Sequence, residues 1–241
     1  MKLSLILSFL LLFSGGSLKA EQKNQDMNQN KIVTIDFYHD VICSWCYVMS
    51  PRLRKLAEEN PNIKVNHRGF ALFPNIESIV YMFGSKEKGK KQIMAHWRAA
   101  SARLKGEVPE LNADLMEKKE FDYPHSMPGL LACKAAEKQG GGDMHWAFFD
   151  AIQTVHLVEG KNIGSSATLI EIAKKLKLDI DQFKTDLELP ETRNLVDVDI
   201  KKAAEMGVNS VPTIVIDGKH KISGAGTYEE LKQKIESLLE Y

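Results

Sequence analysis

Between Asp40 and Tyr47 the chain reads DVICSWCY, and its two cysteines, Cys43 and Cys46, sit where one backbone periodicity stops and another starts. The residues before them, KIVTIDFY from Lys31 to Tyr38, are rich in β-branched and aromatic side chains and read as a buried strand. From about Ser44, a helical period takes over, with Trp45, Val48, Met49, Leu53 and Leu56 spaced for one face. The strand therefore ends near Asp40 and a helix begins at or just after Cys43. Cys43 falls at the helix tip and Cys46 one turn inside.

Three chemistries use a CxxC pair: a redox dithiol, half of a metal site, or a structural disulfide. A disulfide at this spacing closes too small a loop to remove much unfolded-state entropy. The only other cysteine is Cys133, so the chain has no disulfide framework. A metal site needs two more ligands, yet there is no second CxxC, and Tyr47 after Cys46 rules out the haem-attachment pattern. His39 lies close enough in sequence to tune a thiolate or to join the cysteines as a metal ligand, although a satisfied loop histidine is the plainer reading. A dithiol needs one thiol with a lowered pKa, which the free N–H groups and dipole of a helix N-terminus supply. This context favours the redox reading, with Cys43 as nucleophile and Cys46 as resolver.

The rest of the chain frames that pair. NIKVNHRGFALF reads as a second strand, and Lys86 to Lys105 as a helix. Further helices start near Ser126, Asp143, Ser166, Asp179 and Pro190, the first stopping at Gly140–Gly142 and the last at Gly207. TIVID and HKIS around a Gly-Lys turn form a hairpin. Thr227 with Glu230 three residues on opens a final helix. The order β-α-β, helical block, β-β-α predicts an α/β fold in which the two ends pair into one sheet around a helical insertion.

Two segments precede the first strand. Lys2, the apolar run Leu3 to Phe13 and the small residues up to Ala20 fit a secretory signal peptide over 1–20. Residues 21–31 are polar and aperiodic, as in a flexible linker. These predict an exported protein, periplasmic or extracellular, with no stable membrane insertion after cleavage. Lys+Arg and Asp+Glu balance at 32 each, so nothing points to a nucleic-acid-binding surface or a polybasic membrane patch.

CSWC after a strand, Pro51 five residues past Cys46, and SVPT before a short hairpin together resemble the thioredoxin fold. The helical block makes the chain similar to DsbA-like proteins. DVICSWCYV, KAAEKQG, VEGKNI and GVNSVPTIVIDGKHKISGA resemble the FrnE-like thiol–disulfide oxidoreductases of that family, although Ser44 stands where the family commonly has proline. The resemblance implies a thioredoxin-like core in two pieces, 32–84 and 191–241, around a helical insertion, 85–190. It implies that Pro212 is cis and faces the dithiol, that the Val211 backbone pairs with extended substrate, and that Asp36 is a buried acid of raised pKa moving the resolver's proton. Asp40 is the weaker candidate for that role. Trp45 and Tyr47 are candidates for an apolar substrate rim, and Cys133 for a buried, inert thiol. No cofactor is implied, but cysteine-containing protein substrates and a partner that resets the dithiol are. The short linker predicts a monomer. Rival readings are a glutathione-dependent transferase or isomerase of the kappa-class or hydroxychromene carboxylate isomerase type, and a metal carrier using Cys43, Cys46 and His39.

Overall fold

The computed structural model describes residues 32–104 and 106–239; the signal-peptide and linker expectations for 1–31 lie outside them. Among the described residues the elements run β1 (Val33–His39), α1 (Ser44–Glu59), β2 (Ile63–Gly69), α2 (Ile76–Phe83), α3 (Lys86–Leu104), α4 (Ala113–Glu117), α5 (Met127–Gln153), α6 (Ser166–Lys175), α7 (Ile180–Glu188), α8 (Pro190–Glu205), β3 (Thr213–Ile216), β4 (His220–Ser223) and α9 (Tyr228–Leu239). One sheet has the order β2-β1-β3-β4, with β1 parallel to β2 and antiparallel to β3, and β4 antiparallel to β3. The two ends of the chain thus meet in one sheet with helices inserted between them. This is the expected α/β thioredoxin-like architecture.

Strand periodicity sorts the sheet into two faces. Ile35 and Phe37 of β1 and Ile214 and Ile216 of β3 join the main core with α1, where Val48, Met49, Leu53 and Leu56 are buried. The intervening Tyr38 and Val215 pack instead with Ala203 of α8 and Val208. The first face carries the dithiol helix. The second carries α8.

The helix ends follow local chemistry. Asp179 caps α7 by accepting from Gln182 N, and Pro190 occupies the first turn of α8. Thr227 and Glu230 form the reciprocal capping box before α9, with bonds of 2.9 and 3.2 Å. The hairpin turns on Asp217 and Gly218, both at positive φ. Around the glycine triplet, α5 is two helices joined without a gap: Gly140 and Gly141 leave the helical region, Gly141 at φ 67°. Its end widens into a π-helical turn over Thr154–Val158.

Candidate active site

Cys43 caps α1. Its backbone is extended, at φ −83° and ψ 109°, and its Sγ accepts a hydrogen bond from Cys46 N at 3.2 Å. A sulfur in the cap position faces the positive end of the helix, so charge developing on it meets unsatisfied N–H groups. On its other side, the Cys43 thiol donates to the Val211 carbonyl at 3.6 Å, and the Val211–Pro212 peptide bond is cis. Residues 211 and 43 come together because β3 lies beside β1, which places the loop before β3 against the loop after β1.

Both thiols are free in the structure. Cys46 is wholly inaccessible and Cys43 is 5% exposed. Cys43 is therefore a slotted thiol rather than the open one that its position at a helix tip suggests, because the Val211 carbonyl closes over it. Burial first, then the hydrogen bond and charge of Cys43, push the Cys46 thiol well above its ordinary pKa, and the Asp40 charge acts in the same direction. The two cysteines are thus inequivalent: one at the entrance with helix N–H groups beside it, one protonated underneath.

Asp40 is the acid beneath the loop. It is fully buried and accepts from Ser126 Oγ at 2.6 Å, Leu72 N at 2.7 Å and Ile42 N at 3.2 Å. Burial raises its carboxyl from 3.8 to about 6, with these hydrogen bonds pulling the other way. The expectation for Asp36 is corrected. Asp36 lies on the α8 face of β1, where Lys202 donates to it at 2.7 Å, Arg68 at 3.0 Å and Asn66 at 3.1 Å. Burial pushes its carboxyl up, but these partners outweigh burial and hold it below the usual carboxylate range. It belongs to an ion-pair network on the second face, and its raised pKa is not found. The strand's two-residue period separates it from the dithiol side.

Gln153, at the end of α5, clamps the loop. Its buried Nε2 donates to the carbonyls of Cys43 at 3.0 Å and Asp40 at 3.3 Å. Nothing in the sequence singled it out, since an isolated glutamine after an apolar helix has no motif. Tyr47 is buried and donates to the Pro109 carbonyl at 3.1 Å; its edge lines a groove of about 280 Å³ with Pro51, Arg54, Val108, Pro109 and Asp150. Trp45 is half-buried against the main core. Cys133 is buried in α5, and burial pushes its thiol far up.

The metal-carrier arrangement does not assemble. Among the described residues, the group of three or more His, Cys, Asp or Glu side chains that converge closely is His39, His67 and His145, and neither Cys43 nor Cys46 is in it.

The sheet, the capped CxxC helix and the loop at Pro212 define a thioredoxin-type scaffold with a helical insertion, the thiol–disulfide oxidoreductase fold of the DsbA-like class. Residues 34–236 match the DSBA-like thioredoxin domain, and the chain belongs to that family. The ClpXP adapter protein SpxH of Bacillus subtilis is 28% identical over 217 residues, covering 87% of this chain and 68% of the relative. Among solved structures, the cytosolic disulfide reductase DsbM from Pseudomonas aeruginosa superposes with a TM-score of 0.65 at 21% identity, over 86% of this chain and 98% of that one. A 2-hydroxychromene-2-carboxylate isomerase superposes at 0.63 with 17% identity, over 85% and 95%. These two structural likenesses speak to the fold.

Proposed function

We propose that the chain is an exported thiol–disulfide oxidoreductase that exchanges its Cys43–Cys46 disulfide with protein thiols through a mixed disulfide at Cys43. The observation that carries this is the geometry of Cys43 Sγ: capping α1 at 3.2 Å from Cys46 N, and 3.6 Å from the carbonyl before Pro212.

In the oxidising direction, a substrate thiolate attacks Cys43 Sγ in the disulfide. A substrate–Cys43 bond forms, the Cys43–Cys46 bond breaks, and Cys46 leaves with the electron pair. Burial makes a Cys46 thiolate costly, so it takes up a proton, and Asp40, the buried carboxyl whose charge acts on Cys46, serves as the relay. A second substrate thiolate then attacks the substrate sulfur of the mixed disulfide, releasing Cys43 as the leaving thiolate at the tip of α1. Two electrons have passed from substrate to enzyme, and a redox partner resets the dithiol. Run backwards, the same steps reduce a substrate disulfide. The Val211 backbone beside Cys43 lies just before β3 and offers groups to a substrate strand, and the Tyr47 groove offers an apolar edge. The B. subtilis relative, named as an adapter, supports a protein partner over a small molecule.

Export rests on residues 1–20 and is tested by cell fractionation, where recovery of the uncleaved chain in the cytosol would overturn it. The chemistry is tested by dithiothreitol-driven insulin reduction. Cys43→Ala abolishes turnover, whereas Cys46→Ala accumulates a mixed disulfide on Cys43 that can be isolated without reductant. Full turnover by Cys43→Ala sinks the mechanism.

A further inference from the structure

On the dithiol face of the sheet, but outside the thiol chemistry, lie three histidines from three elements. His39 closes β1, His67 is in β2 and His145 is in the second half of α5. Their exposures are 0, 4 and 1%. One ring nitrogen from each lies within 4.8 Å of the others, and His67 Nδ1 is 3.2 Å from His39 Nε2. Phe37, Phe149 and Trp146 wall the cluster in.

The cluster is under-satisfied. His39 Nδ1, His67 Nε2 and His145 Nε2 are all buried without a hydrogen-bond partner. The nitrogens through which His39 and His67 face each other, Nε2 and Nδ1, are bonded only to one another, so these two rings are left with their other nitrogens unpartnered and His145 with Nε2. His145 is also oriented like a ligand: its Nδ1 meets Glu137 Oε2 at 2.7 Å, which leaves Nε2 with a bare lone pair. Glu137 is held in turn by Lys134 at 2.9 Å. Lys134, Arg68 and Lys202 alternate with Glu137, Asp199 and Asp36 through this network, so its charges balance.

We propose that His39, His67 and His145 form a buried site for a first-row transition ion of the zinc type, separate from the dithiol, with Glu137 as the outer carboxylate that orients His145. Three imidazoles suit zinc, copper or nickel and not the oxygen-seeking magnesium or calcium. Around a tetrahedral ion with bonds of about 2.0–2.1 Å, ligand nitrogens sit about 3.3 Å apart. His39 Nε2 and His67 Nδ1, 3.2 Å apart, already have that spacing, and the ion would replace the hydrogen bond between them. His145 must close by up to about 1.5 Å to reach the same spacing, and the non-helical break at Gly140–Gly141 separates it from Glu137 and from the first half of α5.

The test uses the full chain in its oxidised form, whose Cys43–Cys46 disulfide offers no thiolate. Cobalt(II) is added after chelator treatment, both to the folded protein and during refolding, because a buried site loads through an opening. The expected result is about one cobalt retained per chain after desalting, with ligand-field bands of low coordination number and no thiolate charge-transfer band. Zinc displaces it. His145→Asn abolishes retention. Glu137→Gln, which removes no ligand and leaves insulin reduction unchanged, weakens cobalt affinity about 10–100-fold. Failure to retain cobalt by either route, or retention that both variants leave unaltered, overturns the site. A cluster held only by the His39–His67 hydrogen bond, with water at His145 Nε2, gives the first of these outcomes.

Discussion

Replacing Asp40 by asparagine should reshape the pH dependence of stability in a calculable way. Asp40 is wholly buried, and its carboxyl titrates at about 6 when folded against 3.8 when exposed. A raised carboxyl means that the folded state holds the proton more tightly than the unfolded chain does. Its stabilising contribution is therefore complete below pH 3.8 and is lost as pH rises through 6. At about 1.4 kcal/mol per pKa unit, the loss amounts to about 3 kcal/mol.

The variant has its own, pH-independent cost. Oδ2 accepts from both Leu72 N and Ser126 Oγ, so the new amide nitrogen falls on the side facing Ile42 N, where two donors meet. That costs about 1–3 kcal/mol. Asp40→Asn should thus be the less stable protein in acid and draw level or overtake above neutrality. Other groups pull the opposite way: burial holds His39 and His67 well below their ordinary pKa, so the stability they contribute is lost as pH falls. These terms are common to both proteins and cancel in the difference. Urea denaturation of the reduced forms from about pH 4 to about pH 8 measures it. The difference in unfolding free energy should move by about 2.5 kcal/mol across that range, the rest having been lost below about pH 4; parallel curves would refute the account of Asp40 as a buried acid.

Arg52 is 4% exposed and donates to the exposed Glu107, to the Arg103 carbonyl at 2.9 Å and to the Gly226 carbonyl at 2.6 Å, so Arg52→Ala should cost about 1–3 kcal/mol in chemical denaturation. Gly129→Ala puts a Cβ 2.6 Å from Val41 Cγ2 and 3.0 Å from Ile152 Cδ1. It should cost about 1–3 kcal/mol and lower the melting temperature. Cys133→Ala should leave insulin reduction unchanged, and thiol counting in the native, oxidised protein should find no reactive cysteine, since Cys133 is buried with its thiol pushed up.

What could be read in advance follows the range of the forces involved. β1, the helix starting at Ser44, the glycine break, the hairpin and the Thr227 box are local, and their residues declare them. Helix α2 has the spacing of one face in Ile76, Ile79, Val80 and Phe83, but it is only eight residues long and the exposed Tyr81 and Met82 turn its end into an unbroken apolar run that hides the period. α4 is only five residues long and leaves no periodic trace. The choice between Asp36 and Asp40 could not be made from spacing. It depends on which face of β1 receives α8, and α8 arrives some 150 residues later. The histidine cluster is half legible at best. Period two puts His39 and Phe37 on one face, and the parallel register sets Phe37 beside His67, but His145 joins only through the docking of α5.

That docking has a consequence for how the fold can be cut. Ser50 of α1 accepts from Trp146 and donates to Asp150, Arg54 reaches the same Asp150, and Gln153 holds the two carbonyls that frame the cysteine loop. The three partners, Trp146, Asp150 and Gln153, all lie on the second half of α5, along the dithiol helix and the loop that opens it. A minimal domain trimmed to the sheet and its flanking helices would free the carbonyls around Cys43 and strip α1 of its polar staples. In this lineage the insertion works as a splint for the reactive loop, so grafting a foreign helical block should retune the thiols even when every residue of CSWC is kept.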